Sequence, residues 1–281
     1  MASPSAAAAA AATSSIGTIL KSSEIRWAVT GWSFFLAENF ILSENRTYLI
    51  EQLSDDTYHA VYGTFSTIAT ASIAYGYYRL TKDPSKLALL WKQPTAPVAS
   101  MLASWMVTTT GLIVASQALP KFQIPVGMGN DENSGTRKLQ VRCPFDFADD
   151  KNKGSDDKVR GLERISRHPG LWSLGLVGIG NALLQPTLPL CVWWMGPAAI
   201  AWLGGSHSDS RFRRGMGGKL DPFYESQTSN VPFTAMLSGK QGSVATTFSE
   251  LVSQEIKPLN ALMAAGVSTI WVVSRGRIRV R

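Results

Sequence analysis

Arg164-Ile165-Ser166-Arg167-His168-Pro169-Gly170-Leu171-Trp172 opens the stretch that decides how this chain folds. Two apolar runs follow it, 170–184 and 188–204, parted by Gln185-Pro186 and free of charged residues. Uncharged runs of this kind read as membrane-crossing helices. Each falls short of the ~20 residues that a full crossing needs, so one of them is expected to tilt, extend or re-enter. Gly204-Gly205 marks the expected end of the second run, and Ser206-His207-Ser208-Asp209-Ser210-Arg211 reads as the loop after it. A second marked segment lies beyond: Thr228-Ser229-Asn230-Val231-Pro232-Phe233-Thr234-Ala235-Met236-Leu237-Ser238-Gly239-Lys240-Gln241.

Outward from this stretch the same block pattern repeats. Apolar segments occupy 26–42, 59–80 and 97–119 upstream and 259–273 downstream. The expected fold is therefore all-α, an integral membrane helical bundle of about six transmembrane helices. A long polar loop, 121–169, separates the third from the fourth. Trp27 and Trp32 sit near the start of the first segment, and Tyr75, Tyr77 and Tyr78 near the end of the second, where interfacial rings are favoured. The second segment is rich in Ala, Ser, Thr and Gly, which let helices approach closely in lipid, so it is expected to be an inner helix. Gly175, Gly178 and Gly180 read as a helix contact face; no strand precedes them, so they are not a nucleotide-binding loop. Pro97 and Pro120 suit the ends of the third segment. Arg275, Arg277, Arg279 and Arg281 follow the last one as a basic anchor.

Composition supports a membrane class. Only 17% of the 281 residues are charged, against about 25% in soluble domains. The net charge of +7 suits anionic lipid headgroups, and no helix-turn-helix, zinc or RNA-binding signature points to nucleic acid. Residues 1–22 are Ala/Ser-rich and free of acid. They read as a disordered leader and a candidate organelle-targeting peptide, with a plastid favoured over a mitochondrion. Residues 23–281 form the membrane domain. Two cysteines, Cys143 in the polar loop and Cys191 in an apolar run, do not make a disulfide framework.

Counting six crossings places the 43–58, 121–169 and 205–258 segments on one membrane face. Arg46, Arg167, Asp209 and Arg211 then form a polar cluster there, suited to lipid phosphate or to tying loops together. The three histidines of the chain, His59, His168 and His207, share that face.

The Arg-Ile-x-Arg-His-Pro signature at 164–169 and the Thr-Ser-x-x-Pro-Phe-x-Ala-x-Leu-x-Gly-x-Gln tail at 228–241 resemble the NnrU family of multi-pass membrane proteins. The likeness covers roughly 35–241 and is nearest to the plastid branch of haem-dependent 15-cis-zeta-carotene isomerases. In that branch the resemblance implies two intramembrane histidines holding haem b, whose redox state gates a cis–trans isomerisation. The branch reads His-Ser-Gly-Leu-x-Ser-x-Arg and then Ala-Tyr-Arg; here Asn39 to Arg46 and Thr57-Tyr58-His59 stand in those places. Arg46 and Tyr58 match, and the first ligand position falls on Asn39. The second, thirteen residues after His168, falls on Asn181. Carboxamides are poor substitutes for imidazole on iron, so the expected state is without cofactor. Haem b held by replacement ligands from His59, His168 and His207 is the alternative.

Glu38 is the candidate acid/base or metal-ligand residue. A carboxylate in a span must face a partner or water, and pairing with Arg46 or another arginine of that face is the favoured expectation. The expected function is that of a divergent NnrU-domain membrane protein without haem-dependent isomerase activity, acting as a structural, lipid-binding or partner-binding component. The alternative is a cis–trans isomerase of a carotenoid-like polyene.

Overall fold

The computed structural model describes residues 22–82, 90, 95–118, 126–130, 137–141 and 159–276. Most of the Ala/Ser-rich leader, Cys143, the charged centre of the polar loop, Arg277, Arg279 and Arg281 lie outside these residues. Among the described residues the regular structure is helical apart from one two-stranded antiparallel ribbon, β1 (Val126–Asn130) with β2 (Arg137–Val141). That ribbon, and a 3-10 turn at Gly161–Arg164, lie within the stretch read as a polar loop.

Helix α1 (Ser23–Glu44) starts where the Ser22 hydroxyl accepts from the Ile25 amide, satisfying one of the orphan donors of a helix start. It bends at Asn45 into α2 (Arg46–Leu53). Helix α3 (Asp55–Lys82) carries Asp55 and Asp56 in its first turn and Arg79 and Lys82 in its last, each sign opposing the helix dipole. Then come α4 (Val98–Ala118) and α5 (Pro169–Ala182), the latter with proline at its first position. A break at Met195 parts α6 (Leu188–Trp194) from α7 (Gly196–Arg213). Short helices α8 (Pro222–Gln227), α9 (Thr234–Leu237) and α10 (Val244–Glu250) follow. Helix α10 continues as a π-helical stretch, Leu251–Glu255, before α11 (Pro258–Arg275).

All six apolar segments are thus helical. Two helices are long and apolar enough to cross a membrane, Val98–Ala118 and the α6–α7 run Leu188–Arg213. A third joins them if Val244–Glu255 and Pro258–Arg275, set at 96° to each other, make one broken span. Helix α5 spans about 21 Å at ~1.5 Å per residue, less than the ~30 Å of a hydrocarbon core.

Packing runs in the spatial order α3, α1, α6–α7, α5, α4, α11. The inner helix is α5, with Gly170, Trp172, Ser173, Gly175, Leu176, Gly178, Gly180, Asn181 and Ala182 buried. Its glycine face is a contact face, as its spacing suggests: a Cβ on Gly178 would lie 2.7 Å from the Trp194 carbonyl oxygen. The expectation that 59–80 would be the inner helix is corrected. Helix α3 buries only Tyr58, Ala69, Gly76 and Leu80, because its small residues serve chiefly one neighbour, α1. Gly31 of α1 sits against the backbone of Ile73, and Gly76 against the Trp27 carbonyl. At that end Trp27 meets Tyr75 edge to face, and in a separate group Trp193 contacts the rings of Trp32, Tyr77 and Trp194.

A second correction concerns 205–211. No loop starts at Gly204-Gly205; α7 runs on through His207, Asp209 and Arg211 to Arg213. Gly205 is there for close approach rather than to end the helix. A Cβ would stand 2.5 Å from Asn230 Oδ1 and 2.8 Å from the His168 ring.

Candidate functional site

The C-terminal ends of α1 and α7 and the N-terminal ends of α3 and α5 meet at one end of the bundle. Two clusters of polar residues form there.

The first is a clasp between the two marked sequence segments. Backbone bonds run from Arg167 N–H to the Ser229 carbonyl (2.9 Å) and from Phe233 N–H to the Ile165 carbonyl (2.8 Å). The Ser166 hydroxyl donates to the Asn230 carbonyl at 2.5 Å. Asn230 satisfies its own side chain in full: Oδ1 accepts from Trp172 Nε1 at 3.0 Å, and Nδ2 donates to the Trp202 carbonyl and to Ser206 Oγ. Phe233, after Pro232, holds a left-handed φ of 62°, a strain of about 1 kcal/mol that the clasp sustains. Outside it, Arg164 reaches Glu250 at 2.8 Å and Glu255 at 3.0 Å.

At the centre of the clasp lies a buried ion pair. Arg167 Nη2 stands 3.0 Å from Asp209 Oδ2, and His168 Nε2 stands 2.9 Å from Asp209 Oδ1. All three side chains are buried, Asp209 to 2% exposure. A carboxylate paired with arginine can only accept, so His168 carries its proton on Nε2. Arg167 Nη1 also faces the Glu225 and Thr228 carbonyls. The neighbouring Arg213 donates to Glu225 at 2.8 Å and holds that carboxyl below the usual carboxylate range. A depression of about 480 Å³ opens beside the clasp, lined by Arg167, Trp202, Ser206, Asn230 and Lys240 among others.

The second cluster joins α1, α2, α3 and α7. Ser43 Oγ lies 2.9 Å from His207 Nε2, whose ring stacks on Phe40 at 4.4 Å. Arg214 grips Glu44 with two nitrogens, one at 3.0 Å. The Tyr58 hydroxyl donates to the Leu42 carbonyl at 3.2 Å, and the Arg46 guanidinium lies 6.0 Å from the Tyr58 ring centre. The expected single cluster of Arg46, Arg167, Asp209 and Arg211 is therefore divided. Arg167 and Asp209 are locked in the clasp, and Arg46 and Arg211 stand near Tyr58.

Glu38 corrects another expectation. It is buried, and its neighbour is Asn39 rather than an arginine, with Asn39 Nδ2 2.6 Å from Glu38 Oε1. Its other oxygen, Oε2, has no hydrogen-bond partner.

The asparagines at the two positions implied for haem ligation share one arrangement. Asn39 Nδ2 also bonds the Phe35 carbonyl one turn back (2.9 Å), and Oδ1 accepts from the Tyr62 hydroxyl of α3 at 2.5 Å. Asn181 Nδ2 bonds the Val177 carbonyl one turn back (2.8 Å), and Oδ1 accepts from Trp271 Nε1 of α11 at 2.9 Å. Each is a tie between two helices, and neither offers an unengaged nitrogen lone pair to iron. These two asparagines do not fit the haem ligation that the resemblance implies at their positions. Replacing Trp271 by phenylalanine is expected to orphan the buried Asn181 oxygen and cost about 1–3 kcal/mol. The fall would be read as a lower midpoint of heat-induced loss of the monodisperse gel-filtration peak in detergent.

The three histidines reach the same end of the bundle but not each other. His59 is exposed and bonds the Asp55 carbonyl, His168 is locked on Asp209, and His207 is stacked on Phe40. Among the described residues no group of three or more His, Cys, Asp or Glu could hold a metal ion. Cys191 is a free, half-buried thiol. Asn230, Tyr62 and Trp271 escaped the sequence reading. Asn230 stands inside the 228–241 segment without a role of its own in the motif, Tyr62 and Trp271 stand in apolar runs, and only their partners reveal them.

Comparison with known proteins gives one family match: the model described as NnrU protein covers residues 28–273. No curated protein and no solved structure matches the chain.

Proposed function

The chain belongs to the NnrU family, and on that premise we propose that it is a divergent member, a structural or partner-binding component of an organelle membrane without haem-dependent isomerase activity. The observation that carries this reading is the shared fate of Asn39 and Asn181. Each position where the resemblance implies a histidine holds a carboxamide already engaged on both its polar atoms. A buried carboxamide tie stabilises helix contacts in a bilayer by up to about 2 kcal/mol, so both positions serve cohesion of the bundle. Six crossings of the membrane, with the clasp and the second cluster on one surface, belong to this reading. So does a plastid membrane as its location.

Haem b with replacement ligands is the competing reading. Of the histidines, His168 is unsuited, because freeing it would strip Asp209 of a partner inside the bundle. His207 and His59 remain, on different helices. The deciding measurement is the absorption spectrum of the detergent-purified protein, oxidised and reduced, with haem extraction from the same sample. Haem far below one equivalent, after expression with haem supplementation, is the expected result. A stoichiometric, redox-sensitive Soret band would overturn the proposal, and alanine at His59 or His207 would then identify the ligand.

A further inference from the structure

We propose that the cavity beside the clasp binds the phosphate headgroup of an anionic lipid, with Lys240, Ser206 and Thr234 as its donors. The polar groups of the lining fall into two sets. Most are already engaged within the protein. Arg167 is matched by Asp209, and the one carboxylate of the lining, Glu225, is held by Arg213. Ser226 and Thr228 each donate to a backbone carbonyl three or four residues back. Ser229 donates to the Val231 carbonyl and accepts from the Ala235 amide. Asn230 has no side-chain atom to spare.

Three lining groups remain, each with a proton to donate. Lys240 is exposed and makes no ion pair with any described acid. Ser206 Oγ accepts from Asn230 Nδ2 at 2.9 Å, and its own proton has no acceptor among the described residues. The Thr234 hydroxyl is exposed and has no partner among them either. These donors come from α7, from the start of α9 and from the turn after it, and they line one concave surface. With the other charges matched in pairs, Lys240 leaves that surface positive. A phosphate oxygen can only accept, and its hydrogen bonds to a cation are the strong ones. The donor set therefore suits an oxyanion.

The rest of the lining selects a lipid over a free anion. Trp202 and Val231 line the same cavity and are 55% and 41% exposed. Trp202 lies on the α6–α7 run that is long and apolar enough to cross a membrane, one helical turn before Ser206. Along α7 the lining thus passes from an indole to a hydroxyl towards the polar end of the helix, the order in which a bilayer passes from chain to headgroup. The volume, about 480 Å³, is larger than a phosphate group needs and lies within the roughly 300–1,000 Å³ of small-molecule sites. The inference deepens the membrane-component reading, on which it rests only for placing this end of the bundle at a bilayer surface.

The test uses the full chain in a non-ionic detergent, with its thermal midpoint read at fixed ionic strength. Phosphatidylglycerol, phosphatidylcholine and inorganic phosphate are added in separate arms. Phosphatidylglycerol is expected to raise the midpoint at concentrations about tenfold lower than phosphatidylcholine requires, the scale of one charge-assisted contact. Lys240→Gln, at an exposed position, should lose most of that preference. Lys219→Gln removes the same charge from an exposed position outside the lining and should keep it. An equal response to both lipids in the wild type, or an undiminished preference in Lys240→Gln, overturns the site. Equal losses in the two lysine variants would assign the preference to the general charge of this end and overturn the cavity. An equal shift with inorganic phosphate overturns the lipid as its source. Haem content is measured separately, so either proposal can fail without the other.

Discussion

Asp209→Ala is expected to destabilise the protein by about 3–5 kcal/mol, the cost of leaving one member of a buried ion pair without its partner. The carboxylate is 2% exposed and serves two cations at once, Arg167 at 3.0 Å and His168 at 2.9 Å. Its removal strands a guanidinium inside the bundle, where no other described carboxylate pairs with it. The measurement is the midpoint of heat-induced loss of the monodisperse peak in detergent, together with the yield of folded protein. Asp209→Asn should recover part of the loss by keeping a hydrogen-bond acceptor. Pairing Asp209→Ala with Arg167→Met should recover more, since both charges then disappear together. If Asp209→Ala melts with the wild type, the clasp does not hold the two signature segments together.

Gly31→Ala should rank next, although it adds a single methyl group. The added Cβ would meet the Ile73 Cα at 2.6 Å, the Ile73 nitrogen at 2.7 Å and the Ser72 carbonyl carbon at 2.8 Å. All three are backbone atoms, so no side-chain rotation relieves the overlap and α1 must move off α3. Overpacking of this kind costs about 1–3 kcal/mol. The loss should grow because the Asn39–Tyr62 and Tyr58–Leu42 bonds cross the same interface. Gly266→Ala provides the contrast. Nothing lies within 4 Å of a Cβ there, and α11 should gain roughly 0.5–1 kcal/mol from the better helix former. Equal melting of the two variants would show that the close approach at Gly31 is not required.

Much of this architecture was legible in the residues. The apolar blocks marked every long helix, because burial and lipid exposure both demand uncharged runs of helical length. Gly175, Gly178 and Gly180 announced a close contact, since only glycine lets backbones approach so near. The family likeness was legible in Arg164–Pro169 and Thr228–Gln241. Their role as mutual partners was not, because they are far apart in the chain and pair largely through backbone. Small residues in 59–80 suggested an inner helix, yet composition cannot say how many neighbours use a small face. Gly204-Gly205 looked like a helix end for a similar reason. A glycine that permits contact and one that breaks a helix are the same letter. At the candidate sites, Asn39 and Asn181 stood out as substitutions at ligand positions. Their common pattern, one bond back along the helix and one across to a neighbour, required Tyr62 and Trp271 to be placed in space.

The 96° turn between Val244–Glu255 and Pro258–Arg275 has a mechanical consequence. When α11 stands along a bilayer normal, the preceding segment lies nearly flat, and it exposes Val244, Phe248 and Val252 at every fourth position. It then acts as a flange on a post. Pushing the post deeper would drive the flange into the acyl chains, and drawing it outward would lift those apolar side chains into water. Arg164 bolts the flange to the bundle through Glu250 and Glu255, so in that orientation the depth of the post would be held by the same arginine that begins the Arg-Ile-Ser-Arg-His-Pro run.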